Sequence, residues 1–215
     1  MKLKQGYIKT DDDFLLLERI ARHLIIHASF APDIGLYHGK MGIVFFFAHY
    51  ARFTKNSLYS KFTGELLDEI CDEIHTGLPV DFEYGLCGIG WGIEYLLQNG
   101  FMEGDSDDIL SDIDARIMER DLRRITDHSI RTGLEGITYY INKRLSSSSR
   151  KSKCLPFDET YLNDWKTVAS SIFIPEDKVI LDTIIDILPE EDDITLWKFG
   201  LKNGCAGVGL KKMGL

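Results

Sequence analysis

The sequence predicts an all-α protein built from helical hairpins stacked side by side. Three observations lead to this prediction. A glycine-rich frame recurs along the chain, an apolar helix follows the frame, and amphipathic helices fill the intervals between its copies. The order is therefore amphipathic helix, glycine turn and apolar helix, repeated about four times.

The glycine frame is nine residues long, and its places are numbered here from one to nine. Its first copy, Gly35–Ile43, aligns without gaps on a second copy, Gly85–Ile93, with identity at the first, second, eighth and ninth places. A copy near the end, Gly200–Val208, again has glycine at the fifth and eighth places. A weaker copy, Ser129–Ile137, keeps only the Gly-x-x-Gly-Ile half. Two glycines three apart at a helix start allow close backbone approach and tolerate positive φ.

The helices on either side of the frames differ in character. The segments after the frames are apolar on most sides, which is typical of buried helices: Ile43–Phe53, Ile93–Leu97 and Ile137–Ile141. The segments between frames bury one face and place acidic residues on the other: Asp11–Ser29, Ser57–Ile74 and Asp105–Arg120. We expect two more helices at Asp158–Ser171 and Lys178–Ile187, the latter with Pro175 near its first turn.

The longest interval between frames contains Ser146–Lys153, a polar segment of low complexity that is typical of a surface loop. Because the frame resumes at Gly200, we expect a single domain over residues 1–215 with a mobile insertion near 145–155.

Composition narrows the function classes. The chain has 215 residues, and 34 acidic against 25 basic side chains give a formal net charge of −9. This acidic balance argues against nucleic acid or an anionic membrane as partner. The longest strongly apolar stretch, Gly42–Ala48, is too short to cross a bilayer, and Met1–Gly6 shows no signal peptide. Four cysteines without a CxxC pair fit a reducing compartment, so we expect a cytoplasmic protein.

The repeated Gly-Leu-x-x-Gly-x-x-Gly-Ile frame resembles that of the lanthionine synthetase C-like (LanC-like) family, particularly its compact bacterial members. The likeness is carried by Gly35–Ile43, by Gly85–Ile93 with its approach Asp81–Tyr84, by Gly133–Ile137 and by Gly204–Leu210. The resemblance implies an α/α toroid, in which outer helices ring inner helices and the glycine turns surround the mouth of a cavity. Four copies against the family's seven imply an incomplete toroid, so we expect a homo-oligomer or a partner protein to close it.

The resemblance also implies a chemistry. Catalytic members of the family add a cysteine thiol across a dehydrated Ser or Thr of a peptide, using a zinc held by two cysteines and a histidine. Their zinc motifs place cysteine at the third place of two late copies, with histidine after the second cysteine. In this chain the third place holds Tyr37, Cys87, Arg131 and Lys202, and the last copy reads Lys202-Asn203-Gly204. The standard ligands are therefore incomplete.

We accordingly expect a peptide-binding or accessory protein of lanthionine-type peptide modification, with no cofactor. His38 is the candidate catalytic acid or base, because a histidine precedes a frame glycine in the family as well. The candidate contacts to the peptide substrate are residues on or beside the frames: Gly39, Gly42, Gly88, Trp91, Gly204 and Gly207.

Two alternatives remain open. The chain is a zinc-dependent peptide cyclase with a rearranged site, in which Cys87 and Cys205 bind the metal and His38 assists. Or it is a glycan-active α/α toroid, in which Glu94 and Glu135 act as acid and base. His23 and His27 have the spacing of a helical metal pair, but no third ligand accompanies them and surface histidines explain them better.

Overall fold

A computed structural model describes residues 11–152, 154–185, 189 and 193–215. Within these residues the regular structure is helical, which confirms the all-α class. The α-helices are α1 Asp11–His27, α2 Lys40–Thr54, α3 Ser57–Glu73, α4 Leu86–Gln98, α5 Ser106–Met118, α6 Leu134–Leu145, α7 Glu159–Val168, α8 Asp177–Ile184 and α9 Cys205–Met213. The N-terminal hexapeptide and the last residues of the helix expected at 178–187 lie outside the described residues.

The chain forms two compact units. Unit 1 contains the described residues up to Ile74 and those from Glu176 onward, and unit 2 is His75–Pro175. In unit 1, α2 contacts α3 and α9, and α1 also packs on α9. In unit 2, α4 contacts α5 and α6. Among the described residues, none of the helices combines the length and apolar character needed to span a membrane.

The helices that follow the frames are buried on most sides, as their composition predicts. In α2, three consecutive phenylalanines, Phe45, Phe46 and Phe47, are fully buried. In α4 every residue from Leu86 to Leu97 is buried. The helix α3, in contrast, buries only the stripe Thr63, Leu66, Leu67 and Ile70. The inner and outer helices of the α/α-toroid class are thus distinguished by burial within each unit.

Each of the four inner helices in the described part of the chain begins with the same backbone hydrogen bond. The N–H of the first helical residue donates to the carbonyl oxygen seven residues earlier: Lys40 to Asp33 at 2.8 Å, Leu86 to Pro79 at 2.9 Å, Leu134 to Asp127 at 2.9 Å and Cys205 to Lys198 at 2.7 Å. The residue before each helix is a glycine in extended conformation, at Gly39, Gly85, Gly133 and Gly204. This glycine is the fifth place of the frame.

The shared hydrogen bond corrects the alignment of the second frame. Gly85 corresponds to Gly39 and not to Gly35, so frame 2 is Asp81–Ile89, four residues earlier than the sequence alignment placed it. Frames 1, 3 and 4 keep their predicted positions. The third place of frame 2 is therefore Glu83, and the prediction that Cys87 occupies it is wrong. Cys87 is the second residue of α4.

The frame positions require glycine because the backbone of the preceding turn comes very close to them, and not because they have a positive φ. The four fifth-place glycines have φ between −106° and −149°, which any residue can adopt. A Cβ atom on any of them would lie less than 3.0 Å from a backbone carbonyl oxygen of the preceding turn. At the eighth place, a Cβ on Gly42, Gly136 or Gly207 would meet the second-place carbonyl oxygen in the same way. The frame is thus a steric requirement of the turn.

The polar segment near 145–155 makes defined hydrogen bonds. The Ser147 hydroxyl donates to Glu94, the Arg150 guanidinium donates to Asp107 at 2.8 Å, and the N–H of Ser152 donates to the same carboxylate at 3.3 Å. Its mobility and the single domain over 1–215 stay predictions.

We expect Gly39→Ala to lower the free energy of unfolding by more than about 1 kcal/mol, because its Cβ collides with the Asp33 carbonyl. Gly64→Ala is the matched control, since Gly64 lies inside α3 with open space around its Cα. This change should stabilise the protein by about 0.5–1 kcal/mol through helix propensity. Urea unfolding followed by circular dichroism measures both. Equal effects of the two variants would contradict the steric explanation.

Candidate functional site

In unit 1 the turns of frames 4 and 1 pack directly against each other. The N–H of Lys202 donates to the Tyr37 carbonyl oxygen at 2.9 Å. A Cβ on Gly200 would lie within 3.0 Å of the His38 backbone, so only glycine fits there. The last inner helix, α9, therefore packs against α1 and α2 of its own chain. The inner helix α9 finds its packing partners within its own chain, and the homo-oligomer stays a prediction.

The third and fourth places of these two turns carry polar side chains. Lys202 at the third place puts its Nζ 5.8 Å from the centre of the Tyr37 ring, a cation–π contact. Asn203 at the fourth place has φ 53°, a left-handed conformation that a non-glycine residue seldom adopts. Its buried Oδ1 has no hydrogen-bond partner within the described part of the chain. His38, the fourth place of frame 1, is partly exposed on the neighbouring turn.

In unit 2 the turns of frames 2 and 3 are joined at the same places. The N–H of Glu83 donates to the Arg131 carbonyl oxygen at 3.0 Å, as Lys202 does to Tyr37 in unit 1. The Arg131 guanidinium also donates two hydrogen bonds of 2.6 Å to the two carboxylate oxygens of Glu83. Glu83 is only 1% exposed, whereas half of the Arg131 side chain is exposed. This bidentate pair is the strong form of an ion pair.

The candidate metal ligands do not suit a thiolate site. Cys87 belongs to unit 2, whereas Cys205 and His38 belong to unit 1. Burial raises the pKa of Cys87 well above its ordinary value, and burial raises the pKa of Cys205 to about 12. Zinc binds the deprotonated thiolate, which an apolar interior disfavours. Within the described ranges, no group of three or more His, Cys, Asp or Glu residues is arranged to hold a metal ion.

A LanC-type zinc therefore does not fit the places where the resemblance would put it. With frame 2 in its correct register, the third places hold Tyr37, Glu83, Arg131 and Lys202, and the fourth places hold His38, Tyr84, Thr132 and Asn203. None of the four third places carries a thiol.

The residues predicted to contact a peptide are buried. This set comprises Gly39, Gly42, Gly88, Trp91, Gly204 and Gly207. The N–H groups at the starts of α2 and α9 donate hydrogen bonds to carbonyl oxygens of the preceding turn. Trp91 stacks on Tyr95 at 5.6 Å and meets the edge of Phe82 at 5.7 Å. Their role in substrate binding stays a prediction.

A buried charge network in unit 2 was not recognised in the sequence. Arg144 is fully buried and donates to Asp114 at 2.7 Å, to Asp107 at 3.1 Å and to Glu94 at 3.2 Å. Burial raises the pKa of Asp114, although its hydrogen bonds from Arg144 and Tyr140 oppose that shift. Glu94 is thus a buried partner of Arg144, and Glu135 accepts a hydrogen bond from the Tyr139 hydroxyl. The glycan-active alternative stays a prediction.

The two histidines of α1 form an aromatic cluster. The His23 and His27 rings lie 4.5 Å apart, and Phe199 stacks on His27 at 5.6 Å. Burial and the neighbouring His27 lower the pKa of His23.

Within each unit, apolar inner helices that start at Gly-x-x-Gly turns pack with amphipathic outer helices, and this pattern places the protein in the all-helical α/α-toroid class. Within this class, the family model described as lanthionine synthetase C-like protein matches residues 32–195. The match covers more than half of the chain, and the chain belongs to this LanC-like family, which is linked to lanthionine-type peptide modification. No curated protein and no solved structure gives a significant match.

We expect Arg144→Met to lower the free energy of unfolding by about 3–5 kcal/mol, because it leaves buried carboxylates without their cation. Arg123→Met is the control, since Arg123 pairs with Asp121 at the exposed surface and its loss should change little. Urea unfolding measures both variants. A small effect at Arg144 would mean that the network is not a structural element.

Thiol accessibility tests the placement of the cysteines. Cys71 and Cys154 are exposed and Cys87 and Cys205 are buried, so a thiol reagent should modify two thiols in the native protein and four in urea. Mass spectrometry of the modified peptides identifies the positions. Rapid native modification of Cys87 or Cys205 would contradict the burial and would favour the rearranged zinc site.

Proposed function

We propose that this LanC-like protein binds a peptide at the packed turns of frames 4 and 1 and serves lanthionine-type peptide modification in an accessory role, without a zinc at the family's ligand places. The family membership supports the link to peptide modification. The donor set of the frames supports the accessory role, because the third places carry no thiolate to hold the zinc that would activate a substrate cysteine.

The observation that carries the peptide-binding proposal is the buried Oδ1 of Asn203. A buried acceptor without a partner costs about 1–3 kcal/mol, and strained backbone conformations gather at functional sites. A peptide N–H is a donor that would satisfy this oxygen. The neighbouring Lys202 ammonium, which lies over the Tyr37 ring, would donate a hydrogen bond to a peptide carbonyl or carboxylate oxygen.

His38 belongs to the same proposal. It occupies the fourth place of the turn that packs against Gly200, and its imidazole offers both a donor and an acceptor. In an accessory protein these groups position the peptide for another enzyme and leave its thiol unreacted.

The test uses a fluorescein-labelled peptide that contains one dehydroalanine and one cysteine. We expect fluorescence anisotropy to show binding that EDTA leaves unchanged, and thiol titration to show that the cysteine stays free. His38→Ala and Lys202→Ala should each weaken binding several-fold. The matched controls, His75→Ala and Lys211→Ala, change the same residue types away from this turn pair and should bind like the wild type.

Cyclisation of the peptide that EDTA abolishes would overturn the accessory role and restore the zinc-dependent cyclase. Binding that all four variants leave unchanged would overturn the proposed location.

A further inference from the structure

The helix α1 carries apolar side chains on two opposite faces. Its inner face is buried in unit 1 and comprises Leu17, Ile20, Ala21 and Leu24. Its outward face exposes between 44% and 65% of each of four large apolar residues: Phe14, Leu15, Ile25 and Ile26. An amphipathic helix ordinarily presents charged residues to water, so an apolar outward face indicates a surface that binds a partner.

The four exposed apolar residues form two rows along α1. Phe14 and Ile25 are eleven residues apart, and so are Leu15 and Ile26. Because eleven residues make about three helical turns, the two members of each row lie on the same side of the helix. Both rows have their midpoints next to position 20. The apolar surface is therefore concentrated at the two ends of α1, at equal distances from that position.

An exposed ion pair lies between the two ends of these rows. The Arg22 guanidinium donates to the Glu18 carboxylate at 2.5 Å, and 73% of the Arg22 side chain and 40% of the Glu18 side chain are exposed. By helical geometry both residues fall within the arc of about 120° that the apolar rows span. Their midpoint is again position 20. The face thus has a negative charge on one side of this position and a positive charge on the other.

This arrangement makes the outward face of α1 complementary to itself. When two copies of the helix pack antiparallel about a twofold axis at position 20, residues equally far from that position on opposite sides lie across from each other. Glu18 of each copy then faces Arg22 of the other. Each apolar row packs on the same row of the second copy, because its opposite ends meet. A parallel pair would instead place like charges together.

We infer that two copies of this chain associate through the outward faces of α1, antiparallel about a twofold axis, with reciprocal Glu18–Arg22 ion pairs at the centre and apolar contacts at both ends. This interface differs from the ring closure expected from the sequence, because it uses an amphipathic helix and none of the frames. It does not depend on peptide binding at frames 4 and 1, so either proposal can fail without the other.

The size of the face sets the strength of the association. Four side chains exposed to this extent present on the order of 400 Å² of apolar surface in each copy. With the flanking polar residues, two copies bury about 1,000 Å² in total, which is the lower limit for a specific interface. The dimer should therefore form in the micromolar range and dissociate on dilution.

Sedimentation velocity of the full chain, over micromolar concentrations, tests the association. We expect a monomer–dimer equilibrium in the wild type. Ile26→Glu should weaken dimerisation about tenfold or more, because the twofold axis places the new charge in the apolar contacts twice. Leu58→Glu is the matched control, since Leu58 is 69% exposed in the first turn of α3 and should dimerise like the wild type. Circular dichroism checks that both variants fold.

Charge reversal tests the antiparallel register. Glu18→Arg and Arg22→Glu each place like charges opposite each other, so each variant alone should be monomeric where the wild type is dimeric. An equimolar mixture of the two should form a heterodimer, because the reversed charge at position 18 of one chain faces the reversed charge at position 22 of the other. Native mass spectrometry separates this heterodimer from homodimers by mass.

The control for charge reversal is the exposed pair of α3. Lys61→Glu and Glu65→Lys reverse charges at the same helical spacing outside the proposed interface, and each should dimerise like the wild type.

A wild-type chain that stays monomeric at hundreds of micromolar would overturn the inference. Dimers that Ile26→Glu leaves intact would assign the association to another surface and would overturn it as well. Charge variants that dimerise alone as readily as in the mixture would contradict the antiparallel register.

Discussion

One hydrogen bond organises this molecule: the N–H that opens each inner helix donates to a carbonyl seven residues earlier, across a glycine whose absent Cβ leaves room for that carbonyl. Because the turn is closed by backbone atoms, its third and fourth places hold different residues in each of the four copies. The frame can therefore present Tyr37 and His38 in one copy and Arg131 and Thr132 in another without altering the helix that follows. The hydrogen bond thus fixes the backbone of the turn, while the side chains at its third and fourth places differ between copies.

Much of the fold could be predicted from the sequence, because hydrophobic periodicity reports burial directly. The inner helices α2 and α6 and the outer helices α1, α3 and α5 lie where the pattern places them. The second frame was misaligned because Gly85-Leu86 imitates Gly35-Leu36 and Gly92-Ile93 imitates Gly42-Ile43. The alignment followed these residue identities, whereas the register is set by the backbone hydrogen bond across the fifth-place glycine, which is seen only in the structure. The misalignment then placed Cys87 at a ligand position that Glu83 occupies.

The buried network around Arg144 was unpredictable for a different reason. Asp107 and Asp114 lie on an outer helix, where acidic residues usually form a solvated face. Their partner is three turns into α6, and only the folded unit brings that guanidinium to them. The orphan Oδ1 of Asn203 was equally unpredictable, because the missing hydrogen-bond donor has no signature in the sequence, even though asparagine is among the residues that adopt the left-handed conformation most often. The sequence of one copy of the frame does not show which other turn its side chains will contact, because that depends on how the helices pack.

The division of unit 1 along the chain has a consequence for the order in which the protein is made. All residues of unit 2 have been synthesised by Pro175, so its frames 2 and 3 can pair while the ribosome is still adding the rest. Frame 1, synthesised first, has no frame 4 beside it until Val208 has emerged. The helix α2 can pack on α3 as soon as α3 is made, but the faces of α1 and α2 that pack on α9 stay uncovered until the end of unit 1 has been synthesised.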